Sequence, residues 1–155
     1  MLDESVLHEA KLCVVGNVNR DCKTTPFPPG EYLFSDGETP VGGISETIGG
    51  GGANSAAIAA RLGADCSFVG QVGDDEIGRR LEQALTRAGV RCHLHKSPKL
   101  ATGTTINLVF DTGARHFLSC HPNNAALAFE ALDLTPLATA DHQAYEPCWS
   151  KHDDQ

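Results

Sequence analysis

The chain has 155 residues, 41% of them hydrophobic and 21% charged, with 16 Gly, 8 Pro and a formal net charge of −8. That length suffices for one packed domain, and the composition excludes whole-chain disorder and a collagen-like repeat. The acidic balance argues against nucleic acid, which asks for a basic face, and no run approaches the roughly 18 apolar residues of a membrane span.

Asp3, Glu4 and Glu9 stand where a secretory signal would carry no acid. A cytoplasmic protein is therefore expected, without a nucleic-acid or membrane partner. Six cysteines, at positions 13, 22, 66, 92, 120 and 148, are widely and irregularly spaced. Without a secreted context they read as reduced and mostly buried thiols.

Residues 11–16, KLCVVG, read as a buried strand running into a loop. Segment 17–48 is broken by Pro26, Pro28, Pro29, Gly30, Gly37, Pro40, Gly42 and Gly43, so no helix persists there. Short strands at 31–34 and 44–48 are expected to form a small hairpin layer. A connection this long inside a compact domain is usually functional, a lid for example.

Four glycines, 49–52, precede an alanine-rich segment that predicts a helix of about ten residues stopped by Gly63. Residues 65–70 predict the next strand. Asp74 and Asp75 then open a second helix, with Ile77, Leu81 and Leu85 on one face and Gly89 at its end. A strand at about 90–95 follows, then a hairpin of 103–110 and 115–121 around Asp111-Thr112-Gly113. Asn123 or Asn124 is placed to cap a short helix over 125–132. Residues 141–155 are polar and aperiodic, and predict a disordered or poorly packed tail. The alternation of strands and helices points to an α/β fold with a mostly parallel sheet.

Two groups of residues carry candidate chemistry. The glycines before the first helix let a backbone approach a ligand closely. The phosphate-loop pattern fails, because Ala53-Asn54-Ser55 replaces G-K-[ST]. The dinucleotide pattern fails too, because Asn54 or Ser55 stands at its third glycine. What remains is an amide side chain in the first turn, suited to a polyhydroxylated ligand or to a local cap. The second group is Asn19-Arg20-Asp21, just past the first strand, where parallel α/β sheets place ligands. Cys92 with His93 and His95, and His116 with Cys120 and His121, lack the further ligands of a metal site at typical spacing.

Together, Gly16-Asn17-Val18-Asn19-Arg20-Asp21 and Gly49-Gly50-Gly51-Gly52-Ala53-Asn54-Ser55-Ala56 resemble the ribokinase-like (pfkB) carbohydrate kinases. The resemblance continues through Ala60–Ala64, Val69–Gly78, Ala88-Gly89-Val90 and Ala101–Thr104, and covers about residues 10–135. It implies a three-layer ribokinase-like fold, incomplete here, over residues 10–140, with a β-lid at about 22–48. It implies ATP-dependent phosphorylation of a sugar or related polyol, with ATP and Mg2+ as cofactors. Asn19, Asp21, Gly49, Gly50 and Asn54 would then bind the sugar, and the lid could pair two copies as a homodimer. Asp74 and Asp75 fall at the opening of a structural helix rather than at the catalytic Asp.

The family's catalytic G-x-G-D element and its nucleotide-binding loops belong to a later portion, and nothing after Asp75 fits G-x-G-D. This chain is thus expected to be the sugar-binding N-terminal portion, without catalytic, nucleotide or metal residues. A non-catalytic product that binds sugar weakly or pairs through its lid is the other reading. From Gln143 the apolar pattern of the next core strand is lost, which suggests a truncated chain with an aberrant tail over 141–155 and a shifted reading frame as its origin.

Overall fold

The computed structural model describes residues 10–125 and 129–146. Its elements are β1 (Lys11–Val15), β2 (Asn19–Thr24), β3 (Ile44–Gly49), α1 (Gly51–Arg61), β4 (Asp65–Gly73) and α2 (Glu76–Arg87). They continue with β5 (Arg91–Ser97), β6 (Thr104–Val109), β7 (Arg115–Cys120), α3 (Pro122–Ala125), α4 (Thr135–Thr139) and β8 (His142–Tyr145). Single 3₁₀ turns form at Glu31–Phe34 and Phe129–Ala131.

Two four-stranded sheets result. The first has the order β5-β4-β1-β8, and every neighbouring pair is parallel. Its central strands β1 and β4 are buried on both faces, as a sheet covered on both sides requires. On one side Val14, Phe68 and Val72 pack with Ala53 and Ala56 of α1 and with Leu81 and Leu85 of α2. On the other, Cys13, Val15 and Val69 form a cluster with Leu132, and Leu134, Leu137 and Ala140 rest against that cluster. Helices and turns on both faces of a parallel sheet make the expected three layers.

The second sheet has the order β3-β2-β6-β7. β2 pairs antiparallel with β3 and parallel with β6, and β6 pairs antiparallel with β7. This sheet holds the segment expected to form the lid, is called the lid below, and differs from the expected one in three ways. Asn19–Thr24 is a strand rather than a loop. Residues 31–34 form a 3₁₀ turn rather than a strand, because Pro28-Pro29-Gly30 leads into it and Leu33 N–H donates locally to the Gly30 carbonyl. The 104–120 hairpin, correctly expected as a hairpin, supplies half of the lid by pairing with β2 across more than 80 residues.

Both long helices form as expected and end at Gly63 and Gly89, which have positive φ. Asp75 caps α2: its carboxylate accepts from Gly78 N at 2.8 Å, from Thr102 N at 2.8 Å and from Thr102 Oγ1 at 2.7 Å. Burial opposes ionisation of this group, but the Thr102 and Gly78 N–H groups, the Thr102 hydroxyl and Arg79 outweigh it, holding the carboxyl below its usual range. The structural reading of this aspartate thus has its partners.

Asn123 and Asn124 lie inside α3, which starts at Pro122, so neither caps a helix over 125–132. Residues 126–128 of that expected helix fall outside the described residues. The tail expectation is corrected for residues 142–146. His142–Tyr145 is a parallel strand on β1, with Leu12 opposite His142 and Val15 opposite Tyr145. Residues 147–155 of that expected tail lie outside the described residues. Cys13 and Cys66 are buried, Cys22 and Cys92 half-buried and Cys120 exposed, all as free thiols. Burial pushes the Cys66 thiol up to about 11. Among the described residues no helix is long and apolar enough to cross a membrane.

Candidate functional site between sheet and lid

An open cleft of about 440 Å³ lies where the carboxyl end of β1 meets the start of α1 and the inner face of the lid. Asn17, Asn19, Asp21, Gly50, Thr105 and His121 are among its walls, with Phe117, Ser119, Asn124 and Glu146. This is the position at which parallel α/β sheets present ligand contacts.

Strand alternation on the lid puts these side chains on one face. Asp21 stands opposite Thr105, and Thr105 opposite Ser119. The Asn19 side chain, on a residue only 4% exposed, donates from Nδ2 to Asp21 Oδ1 at 2.8 Å and to Thr105 Oγ1 at 3.4 Å. Thr105 Oγ1 also meets His121 Nε2 at 2.9 Å and accepts from Ser119 Oγ at 3.4 Å. Phe117, half-exposed beside this polar row, adds an apolar platform.

Both amide protons of Asn19 are therefore used within the protein. Its carbonyl oxygen, and the second oxygen of Asp21, have no partner among the described residues. These two acceptors call for a ligand that donates hydrogen bonds.

The opposite wall is the glycine turn. Gly50 has φ +90, and a Cβ there would run into the Asn17 carbonyl. A Cβ on Gly49 would meet the Asp21 carboxylate and the Asn19 amide. The glycines thus bring the start of α1 against the Asn19–Asp21 pair.

Glu146 closes this end of α1. Its Oε1 accepts from Gly51 N at 3.0 Å, and its Oε2 from Gly52 N at 2.6 Å and from Asn17 N at 3.0 Å. A carboxylate at a helix N-terminus satisfies donors that the helix itself leaves free and suits its positive end. The α1 N-cap residue, Gly50, has no side chain to do this.

Of the expected contacts, Asn19, Asp21 and Gly50 line the cleft, and Gly49 abuts it. Asn54 does not line it: the side chain is exposed in the first turn of α1, and it is not the cap either. Sequence reading missed Glu146, because the polar stretch before it hides a strand. It also missed Thr105, Ser119 and His121, whose place depends on the distant β2–β6 pairing. His93 instead pairs with Asp133 at 3.0 Å, and that carboxyl is held down at about 2, by Thr135 first and by His93 as well. Among the described residues no group of three or more His, Cys, Asp or Glu is placed to hold a metal ion. Among the described residues no Lys or Arg lines the cleft, so a triphosphate finds no cation among them. The residues present fit an uncharged polyol and do not fit ATP with its metal.

Comparison with known proteins gives the family. The profile of the pfkB family carbohydrate kinases matches residues 9–150. Ribokinase of Bacillus subtilis (strain 168) is 32% identical over 128 residues, which cover 81% of this chain and 39% of that protein. Fructokinase of Klebsiella pneumoniae is 34% identical over 107 residues, covering 68% of this chain and 34% of the relative. Among solved structures, ribokinase from Cryptococcus neoformans var. grubii serotype A in complex with ADP superposes with a TM-score of 0.70 at 27% identity. That superposition covers 88% of this chain and 42% of the other. The chain spans about two fifths of the length of these relatives. It has the ribokinase-like fold and belongs to the pfkB family of carbohydrate kinases.

Proposed function

We propose that this chain forms the acceptor-binding part of an ATP-dependent carbohydrate kinase, holding a sugar or related polyol between the glycine turn and the lid. The observation that carries the reading is the Asn19–Asp21 pair. The Asn19 amide donates to Asp21 and to Thr105, which uses up the donors and leaves two acceptors beside the cleft. A polyol hydroxyl is the natural complement.

In this reading Asp21 accepts from ligand hydroxyls. Asn19, oriented through Thr105, accepts from another. Phe117 packs on the ring, and the lid excludes water from the acceptor hydroxyl. Phosphoryl transfer rests on positioning and charge stabilisation around the transferred group. ATP and Mg2+ supply that group and part of that charge, and they would be held by residues other than those of the cleft.

Calorimetric titration of the chain with pentoses, hexoses and nucleosides tests the binding. One class should bind, and Asp21→Ala should weaken it by at least about 100-fold, the loss of a charged hydrogen-bond acceptor and its alignment. Unchanged affinity in that variant would sink the assigned site. A coupled assay with ATP should show no turnover by this chain alone. Turnover that persists after contaminating kinases are removed would overturn that expectation.

The other reading, pairing through the lid, draws on the outer lid face. There Cys22, Ile106 and Leu118 form a row across three strands, and Ile44, Ile106 and Leu118 are all exposed. Such a row asks for a cover. Sedimentation of the chain, with Leu118→Ser as the control that should favour monomer, checks it.

A further inference from the structure

A second cavity, of about 230 Å³, lies on the opposite face of β2 from the cleft, between the lid and α2. We propose that it is a binding site for a small organic anion, a phosphate or carboxylate carried on a compact apolar body.

The floor is apolar. Ile77, Leu81 and Ala84 line it from α2, at the i, i+4, i+7 spacing that places side chains on one helix face, and Ile48 faces them from β3. The rim is cationic. Arg80 and Arg87 stand seven residues apart on α2, about 10 Å along the axis, and Arg20 comes from β2.

Glu46 is the one carboxylate among the lining residues. It accepts from Arg20 Nη1 at 3.2 Å. Arg20 Nε is buried and has no partner. Arg80 holds Glu76 through Nε at 3.0 Å, which leaves its terminal nitrogens for other acceptors. Arg87 has no ion-pair partner among the described residues.

Arg20 is paired with Glu46 and Arg80 with Glu76, so Arg87 leaves the rim net positive on a chain whose net charge is −8. The guanidinium fork matches phosphate and carboxylate oxygens, and a partnerless buried N–H is a donor awaiting an acceptor. The apolar floor sets the rest of the ligand: a fully hydrated inorganic ion would leave Ile48, Ile77 and Leu81 uncovered. The volume falls below the span typical of drug-sized ligands and so suits a small one.

Phenyl phosphate, with inorganic phosphate and phenol as its separate halves, tests the site by calorimetry on the full chain. Phenyl phosphate should bind saturably and more tightly than either half. Arg87→Gln, at an exposed helix position, should weaken it at least about tenfold, the equivalent of one charge-assisted hydrogen bond. Ala84→Met fills the floor, keeps every charge and retains a good helix former, and it should abolish binding. Asp21→Ala, on the other face of β2, should change nothing. Absence of saturable binding, or equal affinity in Arg87→Gln and Ala84→Met, would overturn the proposal. So would loss of binding in Asp21→Ala, which would place the ligand in the cleft.

Discussion

The two sheets are built from strands of similar length and have opposite interiors. β4 is buried at eight consecutive positions, Cys66 to Gly73, whereas β7 is exposed at every position. The parallel sheet has an apolar core on each face. The lid has a polar, hydrogen-bonded row on its inner face and an exposed apolar row on its outer one. In the proposed reading, stability therefore resides in one sheet and recognition in the other. The cleft sits where a rigid floor meets a wall that can be altered at little cost to the fold.

Substitutions can break that division, and the largest effect belongs to the core. Phe68 is fully buried beneath α1 and α2. Phe68→Ala should destabilise the chain by about 4 kcal/mol, read as a lower urea midpoint. If Leu118→Ser on the lid cost as much, the contrast between the sheets would fail.

A smaller effect is expected where the sheets meet. Glu146→Ala leaves three backbone N–H groups without their acceptor. It should lower stability by about 2 kcal/mol and also disturb the cleft, so unfolding and sugar titration should both change. A change in stability alone would make Glu146 purely a helix cap.

Asp75→Ala removes the cap of α2 and the acceptor of Thr102 N, at about 2 kcal/mol or less near neutral pH. The folded carboxyl is held below its ordinary value. Its contribution is therefore present above that ordinary value and is lost as pH falls through the folded one. Stability of the parent should drop on the acid side, and the drop should be shallower in Asp75→Ala. It should not vanish, because Asp133 and Glu76 are lowered as well. Parallel pH curves for the two proteins would refute the assignment.

The smallest perturbation is chemical. Cys120, exposed on the lid, should react with a thiol reagent in the folded protein, while Cys13 and Cys66 should react only on unfolding. Equal rates would mean that the core opens as readily as the lid.

The same division explains what the sequence revealed. α1 and α2 were legible because alanine packing, the Leu81–Leu85 stripe and the closing glycines are local signals. So were β1, β4 and the 104–120 hairpin. The Asn19–Asp21 pair and Gly50 were legible through their motif. Asn54 shared the motif, but it is exposed on α1 and is not among the residues that line the cleft. β8 was not legible: His142, Gln143 and Tyr145 are exposed, so no apolar alternation marks them, and only the edge of β1 reveals the strand. The full lid was hidden for the same physical reason, since pairing partners more than 80 residues apart leave no periodic trace in either segment.

One contact also bears on the order in which the molecule assembles. Asn17 N and Glu146 Oε2 are 129 residues apart in sequence. Bringing such distant groups together costs loop-closure entropy before the contact repays any of it. α1 can coil and the 104–120 hairpin can pair before residue 146 arrives, but the floor of the cleft cannot close. During synthesis the lid strands therefore exist before the site they cover, and one late-arriving carboxylate completes it.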